Sequence, residues 1–321
     1  MQTYSRLLII MLLLLSCFFS KAQVYHFKHY EIPVSESFNY VSSIIQDDKG
    51  YMHFGLNGAG IAKFDGFKFQ LSDNGDSIDN RVICLLEDNR SNLWVGTARG
   101  LFFKHKGKFL RPDIEGWEEI ENLRIFSLAQ DKYGHIYVGT SSGVFQIYIK
   151  ADKKKLYHLK KEEQVFCVYV DRNNLKWFGT AKHLYSLDKE SMNRERYLKL
   201  EAALDVGVKS MLLDVKGRFW VGGYNGGLYM KEKDQLIDVG AQLAYNGDKI
   251  NIIKEDLNGN IWIGSANSGL WKFDNDDIFS NYTLDNGLHS NTIYSLEVDH
   301  ENNLWLSTTD QLVSIFRGEQ F

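Results

Sequence analysis

The stretch Ile250–Asp274, INIIKEDLNGNIWIGSANSGLWKFD, decides the fold, because versions of it recur from near the N-terminus to the last residues of the chain. Aligned on the turn aspartate, the copies carry Asp47, Asp88, Asp131, Asp171, Asp214, Asp256 and Asp299, and eight residues later Gly55, Gly96, Gly139, Gly179, Gly222, Gly264 and Ser307. Neighbouring copies are 40 to 43 residues apart. Such a period, built from apolar runs no longer than a strand, is the signature of a β-propeller with one four-stranded blade per repeat; helical repeats of this length need longer periodic segments. Seven copies predict an all-β, seven-bladed propeller with antiparallel blades.

Within a copy, an apolar run such as Val82–Leu86 is too short for a buried helix and is bounded by turn residues, so it reads as strand A, covered on both faces and next to the central channel. The turn Asp-x-x-Gly or Asp-x-x-Asn follows, where Asp bonds nearby backbone N–H groups and Gly or Asn tolerates a positive φ. Strand B is the aromatic run Leu93–Gly96; Gly60, Gly100, Gly143, Gly227 and Gly269 open strand C; strand D is the Phe/Tyr-rich piece beyond, such as Phe67–Leu71 or Ile278–Thr283. The mature N-terminus fits the same scheme. Phe27 and Tyr30 stand as far before Val41 as Phe279 and Tyr282 stand before Ile293, so Tyr25–Ile32 is a strand D without A, B and C. The seventh copy has A (Ile293–Val298), B (Asn303–Ser307) and C (Leu312–Phe316) but no D. The two pieces add up to one blade, which predicts a ring closed by the N-terminal strand.

Residues 1–22 read as a signal peptide: Arg6 supplies a positive start, Leu7–Phe19 an apolar core too short to span a bilayer comfortably, and Ser20-Lys21-Ala22 a cleavage site, leaving residues 23–321 as a single propeller domain beginning at Gln23. Against a lipoprotein anchored at Cys17 stand the bulky Phe18 and Phe19. No later stretch is apolar enough for a membrane span. With 27 Gly and only 2 Pro the chain suits an ordered, turn-rich β protein. The formal charge of −4 shows no basic stripe, which excludes nucleic acid as the expected partner. Cys84 and Cys167 share the third position of strand A, where other copies carry Ser43, Ser127, Ser210, Ile252 and Ser295, on non-adjacent blades; two free, buried thiols are expected.

The segments FKHYEIPVSESFNYVSSIIQDDKGYMHFG (27–55) and LEDNRSNLWVGTARGLFF (86–103) resemble the two-component regulator propeller family, whose repeat runs V-x-S-I-x-x-D-x-x-G-x-L-W-x-G-T-x-x-G-L. The resemblance covers essentially the whole mature chain. It implies the periplasmic sensing region of Bacteroidetes-type histidine kinases, often hybrid two-component systems that detect glycans, with a membrane sensor kinase as partner. The sequence carries no phospho-acceptor histidine box, ATP-binding signature or receiver domain, so kinase activity is not carried over.

Positions that break the repeat are where function is sought. Trp94, Trp177, Trp220, Trp262, Trp305 and Tyr137 share one strand B site and are expected to pack between blades, whereas His53 replaces them in the first copy as a buried, satisfied histidine or, alternatively, a ligand-facing one. His183 and Gln311 replace the Gly that opens strand C. Arg99, Lys182, His183, Tyr224, Asn225 and Asn267 occupy B–C loops, and Trp117 lies among Glu115, Glu118, Glu119 and Glu121 in the longest D–A connection, where it either stacks on a sugar or caps a blade. These seven, with Phe38, Tyr40, Arg81 and Tyr245, give aromatic surfaces interleaved with hydrogen-bond donors on the D–A/B–C face, the mixture a polar carbohydrate needs. The uniform A–B turns leave little room for a specific site.

The expected ligand is therefore an oligosaccharide, with acidic ones among the candidates, or another small polar ligand. No nucleophile-elbow, zinc or calcium-loop motif is present, the acidic turn Asp274, Asp276 and Asp277 lacks calcium-loop spacing, and no catalytic residue, metal or cofactor is assigned. The reading is a binding protein, not an enzyme. Its alternatives are an exported protein-interaction scaffold and, drawing on the seven-bladed lyases that use His and Glu, a lyase.

Overall fold

The carboxylate at the end of each inner strand organises its repeat. In blade 2, Asp88 Oδ1 accepts the backbone N–H groups of Arg90 and Asn92 at 2.9 Å each, and the fourth turn residue takes a left-handed φ in blade after blade: Gly50 (85°), Ser91 (58°), Asn174 (65°), Gly259 (82°). Ser91 stands where Gly or Asn was expected. The computed structural model describes residues 25–317 apart from 35–37, 73–78, 106–107, 151–152, 162, 188–198, 204–206, 234, 241–246, 277 and 310. Residues 1–22, Cys17, Tyr245 and Asp277 lie outside the described residues.

Seven four-stranded antiparallel sheets form the ring. The inner strands, numbered here by blade, are Val41–Gln46, Val82–Glu87, Ile125–Gln130, Val165–Val170, Val208–Leu213, Ile250–Glu255 and Ser295–Val298. The outermost strand of blade 7 is the N-terminal Phe27–Glu31, paired antiparallel to Leu312–Phe316 from Phe27↔Phe316 to Glu31↔Leu312. Closure by the N-terminal strand is as the sequence predicts, with the strand three residues shorter than Tyr25–Ile32. On the A–B side a further tie crosses the seam, from the His300 N–H to Gln46 Oε1 at 2.6 Å.

Burial corrects one expectation. Strand B is buried along its whole length in every blade, as Leu93–Thr97 illustrates. Strand A is covered on one side only: Val82 and Leu85 are buried while Ile83, Cys84, Leu86 and Glu87 are half-buried, because the inner strand walls an open channel. The glycines of strand B are required by the approach of the next blade. A Cβ on Gly96 would stand 2.4 Å from Cys84 Sγ and 2.7 Å from Ile125 Cγ2. In blade 7, Ser307 takes this place and donates its hydroxyl to the Val41 carbonyl at 2.8 Å, joining the last blade to the first.

The faces divide as expected. D–A connections bond to B–C turns, as in Gly100 N–H to the Leu123 carbonyl (2.8 Å) and Gly269 N–H to the Asn291 carbonyl (2.8 Å). On the opposite side Asn275 Nδ2 donates to the Asn258 carbonyl at 2.6 Å, joining a C–D turn to an A–B turn.

Candidate functional site

In blades 1 to 6 the pairing of strands A and B slips at the second residue of strand A, between Val41 and Ser43, Val82 and Cys84, Ile125 and Ser127, Val165 and Cys167, Val208 and Ser210, and Ile250 and Ile252. A bulge leaves one residue out of the ladder and re-aims its side chain. Those residues are Ser42, Ile83, Phe126, Phe166, Lys209 and Asn251; with Tyr294 at the matching place in blade 7, all line a central channel of about 600 Å³. At the D–A/B–C end it opens into a pocket of about 350 Å³ walled by Tyr40, Ser42, Ile83, Lys209, Lys249, Asn251, Ala266, Asn267, Thr292 and Tyr294. That volume lies in the range of small-ligand sites.

The mouth is cationic and aromatic. Lys209 stands inside the channel, where burial lowers its pKa and the charges of Lys249 and Arg124 lower it further. Among the described residues no carboxylate lies within ion-pair distance of Lys209, Lys249 or Arg124. Lys249 Nζ is 4.3 Å from the centre of the Tyr224 ring, and the Arg124 guanidinium 5.5 Å from that of Phe126. Tyr224 lies parallel to Phe166 at 4.9 Å (9°), Phe166 meets Phe126 edge-on at 5.2 Å, and Tyr40 stacks on Tyr294 at 4.1 Å. Burial raises the Tyr40 hydroxyl pKa, against the pull of Arg124 and with a smaller push from Tyr294. The Tyr40 hydroxyl therefore acts as a neutral hydrogen-bonding group.

The expected site residues divide into two groups. Asn267 lines the mouth pocket, its side chain held by Asp248 (Nδ2 to Oδ1, 3.1 Å), and Tyr224 belongs to the aromatic wall with exposed Asn225 beside it. The other four lie outside the channel lining. Trp117 packs against the Ile114, Ile120 and Leu156 cluster beside the outermost strand of blade 3, where Glu115 also pairs with Lys155. Arg99 is exposed near the Asp79–Arg81 ion pair. His183 Nδ1 is 2.8 Å from Glu163 Oε1, and Glu163 also accepts from Thr180 and from the Tyr185 hydroxyl (3.2 Å). Burial alone would raise the Glu163 pKa; the hydrogen bonds from Thr180 and His183 outweigh it and hold the pKa below its usual value. Lys182 is exposed beside this group.

Sequence reasoning missed Lys209, Lys249, Arg124, Phe126, Phe166 and Tyr294. Four of them carried a signal, because the second residue of strand A runs Ser, Ile, Phe, Phe, Lys, Asn, Tyr through a strand whose neighbouring positions repeat; Lys249 and Arg124 stand one residue before that strand.

A closed seven-bladed propeller with a polar, ligand-sized mouth is the class defined by this geometry. The family model for the two component regulator propeller matches residues 76–99, 119–142 and 287–310. No curated protein sequence matches the chain. Among solved structures, the chain is similar to the extracellular domain described as that of the hybrid two component system BT3049 from B. thetaiotaomicron, at 23% identity and TM-score 0.73, covering 91% of this chain and 41% of that one. It is also similar to the extracellular domain of BT4673 from the same organism (20%, TM-score 0.74, covering 91% and 40%) and to virginiamycin B lyase from Staphylococcus aureus (12%, TM-score 0.66, covering 90% and 99%). At these identities the likeness is one of fold. The chain spans about two-fifths of the length of the B. thetaiotaomicron domains it matches.

Proposed function

We propose that this chain is an extracytoplasmic sensor propeller that binds an anionic oligosaccharide across the channel mouth and reports its occupancy to a membrane sensor kinase. One observation carries the reading: Lys209 and Lys249, without carboxylate partners among the described residues, line a pocket of about 350 Å³ beside stacked aromatic rings, with the Arg124 charge acting on Lys209 and Tyr40. A sugar carboxylate placed among these cations relieves their mutual repulsion, sugar C–H faces lie on the Tyr and Phe rings, and Asn251 and Asn267 serve the hydroxyls. The resemblance to extracellular domains of two-component systems supports the sensing role. In this reading residues 1–22 direct export and are removed.

The test is calorimetric titration with tetragalacturonic acid, its methyl ester and neutral maltotetraose. The acid is expected to bind, with each neutral compound at least about tenfold weaker, and Lys249→Met and Tyr294→Ala each weakening the acid by about tenfold. Trp117→Ala should bind as wild type does. Equal binding of acid and ester would remove the anionic requirement, and no binding of any of the three would favour the exported scaffold. The lyase reading has His183 and Glu163 on its side, but that pair lies outside the channel lining and its groups bond to one another. A binding protein, not an enzyme, is what the mouth supports.

A further inference from the structure

In six blades an aromatic ring six residues after the turn aspartate fills the space between strand B and the next blade; in blade 1 that place is held by His53. The imidazole is smaller than an indole, and a cleft of about 510 Å³ opens there between blades 1 and 2, on the A–B side of the ring. This is the face whose uniform turns promised no room for a site. Its wall includes Tyr51, His53, Lys63, Glu87 and Lys104.

Three features of the wall point to a ligand. His53 is 5% exposed; its Nε2 lies 2.7 Å from Asp47 Oδ2, while Nδ1 is buried with no partner. Asp47 has its pKa lowered: burial alone would raise it, but the hydrogen bond from His53 and the Tyr51 and Lys49 N–H groups outweigh burial, so Asp47 is ionised and Nε2 is the donor. Nδ1 therefore carries a free lone pair. Second, Lys63 and Lys104 have no carboxylate within ion-pair distance among the described residues; Lys63 Nζ sits 3.3 Å from the Tyr51 ring centre, and burial followed by the Lys63 charge lowers the Lys104 pKa. Third, the cleft carboxylates are engaged elsewhere: Asp47 as above, Asp48 by the Ser91 hydroxyl, and Glu87 by the Asp48 N–H at 2.7 Å. Two ammonium groups that repel one another and one acceptor without a donor are left over.

We propose that the blade 1–2 cleft is a second binding site, distinct from the channel mouth, for a protonated oxyanion, inorganic hydrogen phosphate. Lys63 and Lys104 take the charged oxygens and the P–OH group donates to His53 Nδ1. Sulfate, with the same size and charge but no proton to give at neutral pH, leaves Nδ1 unsatisfied, which costs about 1–3 kcal/mol for a buried acceptor, roughly tenfold or more in affinity.

The experiment is titration of the full chain with inorganic phosphate and, separately, inorganic sulfate at low ionic strength. Phosphate is expected to bind at least about tenfold more tightly than sulfate, and Lys63→Met and Lys104→Met each to weaken phosphate by about tenfold or more. His53→Trp, which restores the aromatic of the other blades, should abolish phosphate binding while its melting temperature stays at or above wild type. Lys249→Met should leave phosphate affinity unchanged. In wild type, the His53 imidazole resonances should shift on phosphate addition, a readout that needs no variant. The proposal is overturned if phosphate fails to bind in the millimolar range, if sulfate binds as well, if the two lysine variants bind as wild type does, or if binding survives His53→Trp. Loss on Lys249→Met would place the anion at the channel mouth and overturn it equally.

Discussion

Asp88 Oδ2 accepts the indole N–H of Trp94 at 2.8 Å while Oδ1 of the same carboxylate caps the turn between them. The relation recurs from Asp171 to Trp177 (3.0 Å), Asp214 to Trp220 (2.9 Å), Asp256 to Trp262 (2.9 Å) and Asp299 to Trp305 (2.8 Å), and from Asp131 to the Tyr137 hydroxyl (3.2 Å). One side chain thus fixes the turn after strand A and the ring that seals the blade against its neighbour. This explains why Asp and Trp keep a constant spacing of six residues.

The two halves of that relation should separate on mutation. Trp94→Phe keeps an aromatic ring and loses one hydrogen bond, an expected cost of about 1–2 kcal/mol, whereas Asp88→Ala strands two backbone N–H groups and the buried indole and is expected to cost about 3 kcal/mol or more. Urea denaturation ranks them. Equal costs would show that the carboxylate does no more than meet the indole.

What was legible in the sequence is what repeats. The turn aspartates, the strand B glycines and the N-terminal strand were found because the same physical demand recurs at every blade, and Phe27 and Tyr30 could be matched to Phe279 and Tyr282 by distance alone. The channel mouth was harder to read for the converse reason. A bulge residue such as Lys209 obeys no repeat, and its neighbours Lys249, Arg124 and Tyr294 come from other blades, joined only by ring closure. Trp117 stayed open between stacking on a sugar and capping a blade because an aromatic in an acidic loop looks the same in sequence whether it lies near the axis or, as here, beside the outermost strand.

Blade 3 carries a different pairing. Lys176 Nζ, from blade 4, is 3.6 Å from Asp131 Oδ2, with both side chains buried. Asp131 also accepts from Tyr133 N–H, His135 N–H and the Tyr137 hydroxyl, so it keeps partners when the lysine is removed. Lys176→Met should therefore cost little, about 1 kcal/mol, while Asp131→Ala leaves a buried ammonium without its partner and should cost about 3–5 kcal/mol. Chemical denaturation of the two variants reads the asymmetry. The reverse order would place the stabilising role on the lysine.

The thiols were expected to be buried, and both are free but only half-buried on the channel wall. Burial pushes the pKa of Cys84 and of Cys167 up to about 12 from 9.0. Since the thiolate is the reactive form, alkylation of native protein near neutral pH should be about a thousandfold slower than in denaturant. Time-resolved iodoacetamide labelling followed by mass spectrometry measures the ratio. Rapid native labelling of either residue would contradict the low-polarity channel wall.

Acid should weaken the fold through its histidines. His158 stacks on Phe145 at 3.9 Å, and burial followed by the Lys161 charge lowers its pKa, with Glu119 opposing. A folded-state pKa below 6.5 means that the unfolded chain takes up its proton first as pH falls, so stability is full above about pH 6.5 and declines towards the folded pKa. His53 is lowered in the same direction, by burial. His158→Phe keeps the stack and removes the titration, so the loss in urea midpoint between about pH 7.5 and pH 5.5 should be smaller than in wild type. An identical loss would assign the acid response to other groups.

The ring should depend on its N-terminal strand. Phe27 stacks on Phe316 at 5.0 Å and Tyr30 on Trp305 at 6.2 Å, so removing the strand uncovers apolar rings of blade 7 as well as the N–H and C=O groups of Leu312–Phe316. An unpaired edge of this kind is also a template for aggregation. Deleting residues 23–33 is expected to lower the melting temperature by more than about 10 °C, or to give insoluble protein. Supplying a peptide of residues 23–33 in trans should recover part of the loss, because the register Phe27↔Phe316 to Glu31↔Leu312 needs only a free strand of the right sequence. A deletion that melts as wild type does would mean that the blade 7 edge is stable unpaired, and closure by this strand would then be structurally dispensable.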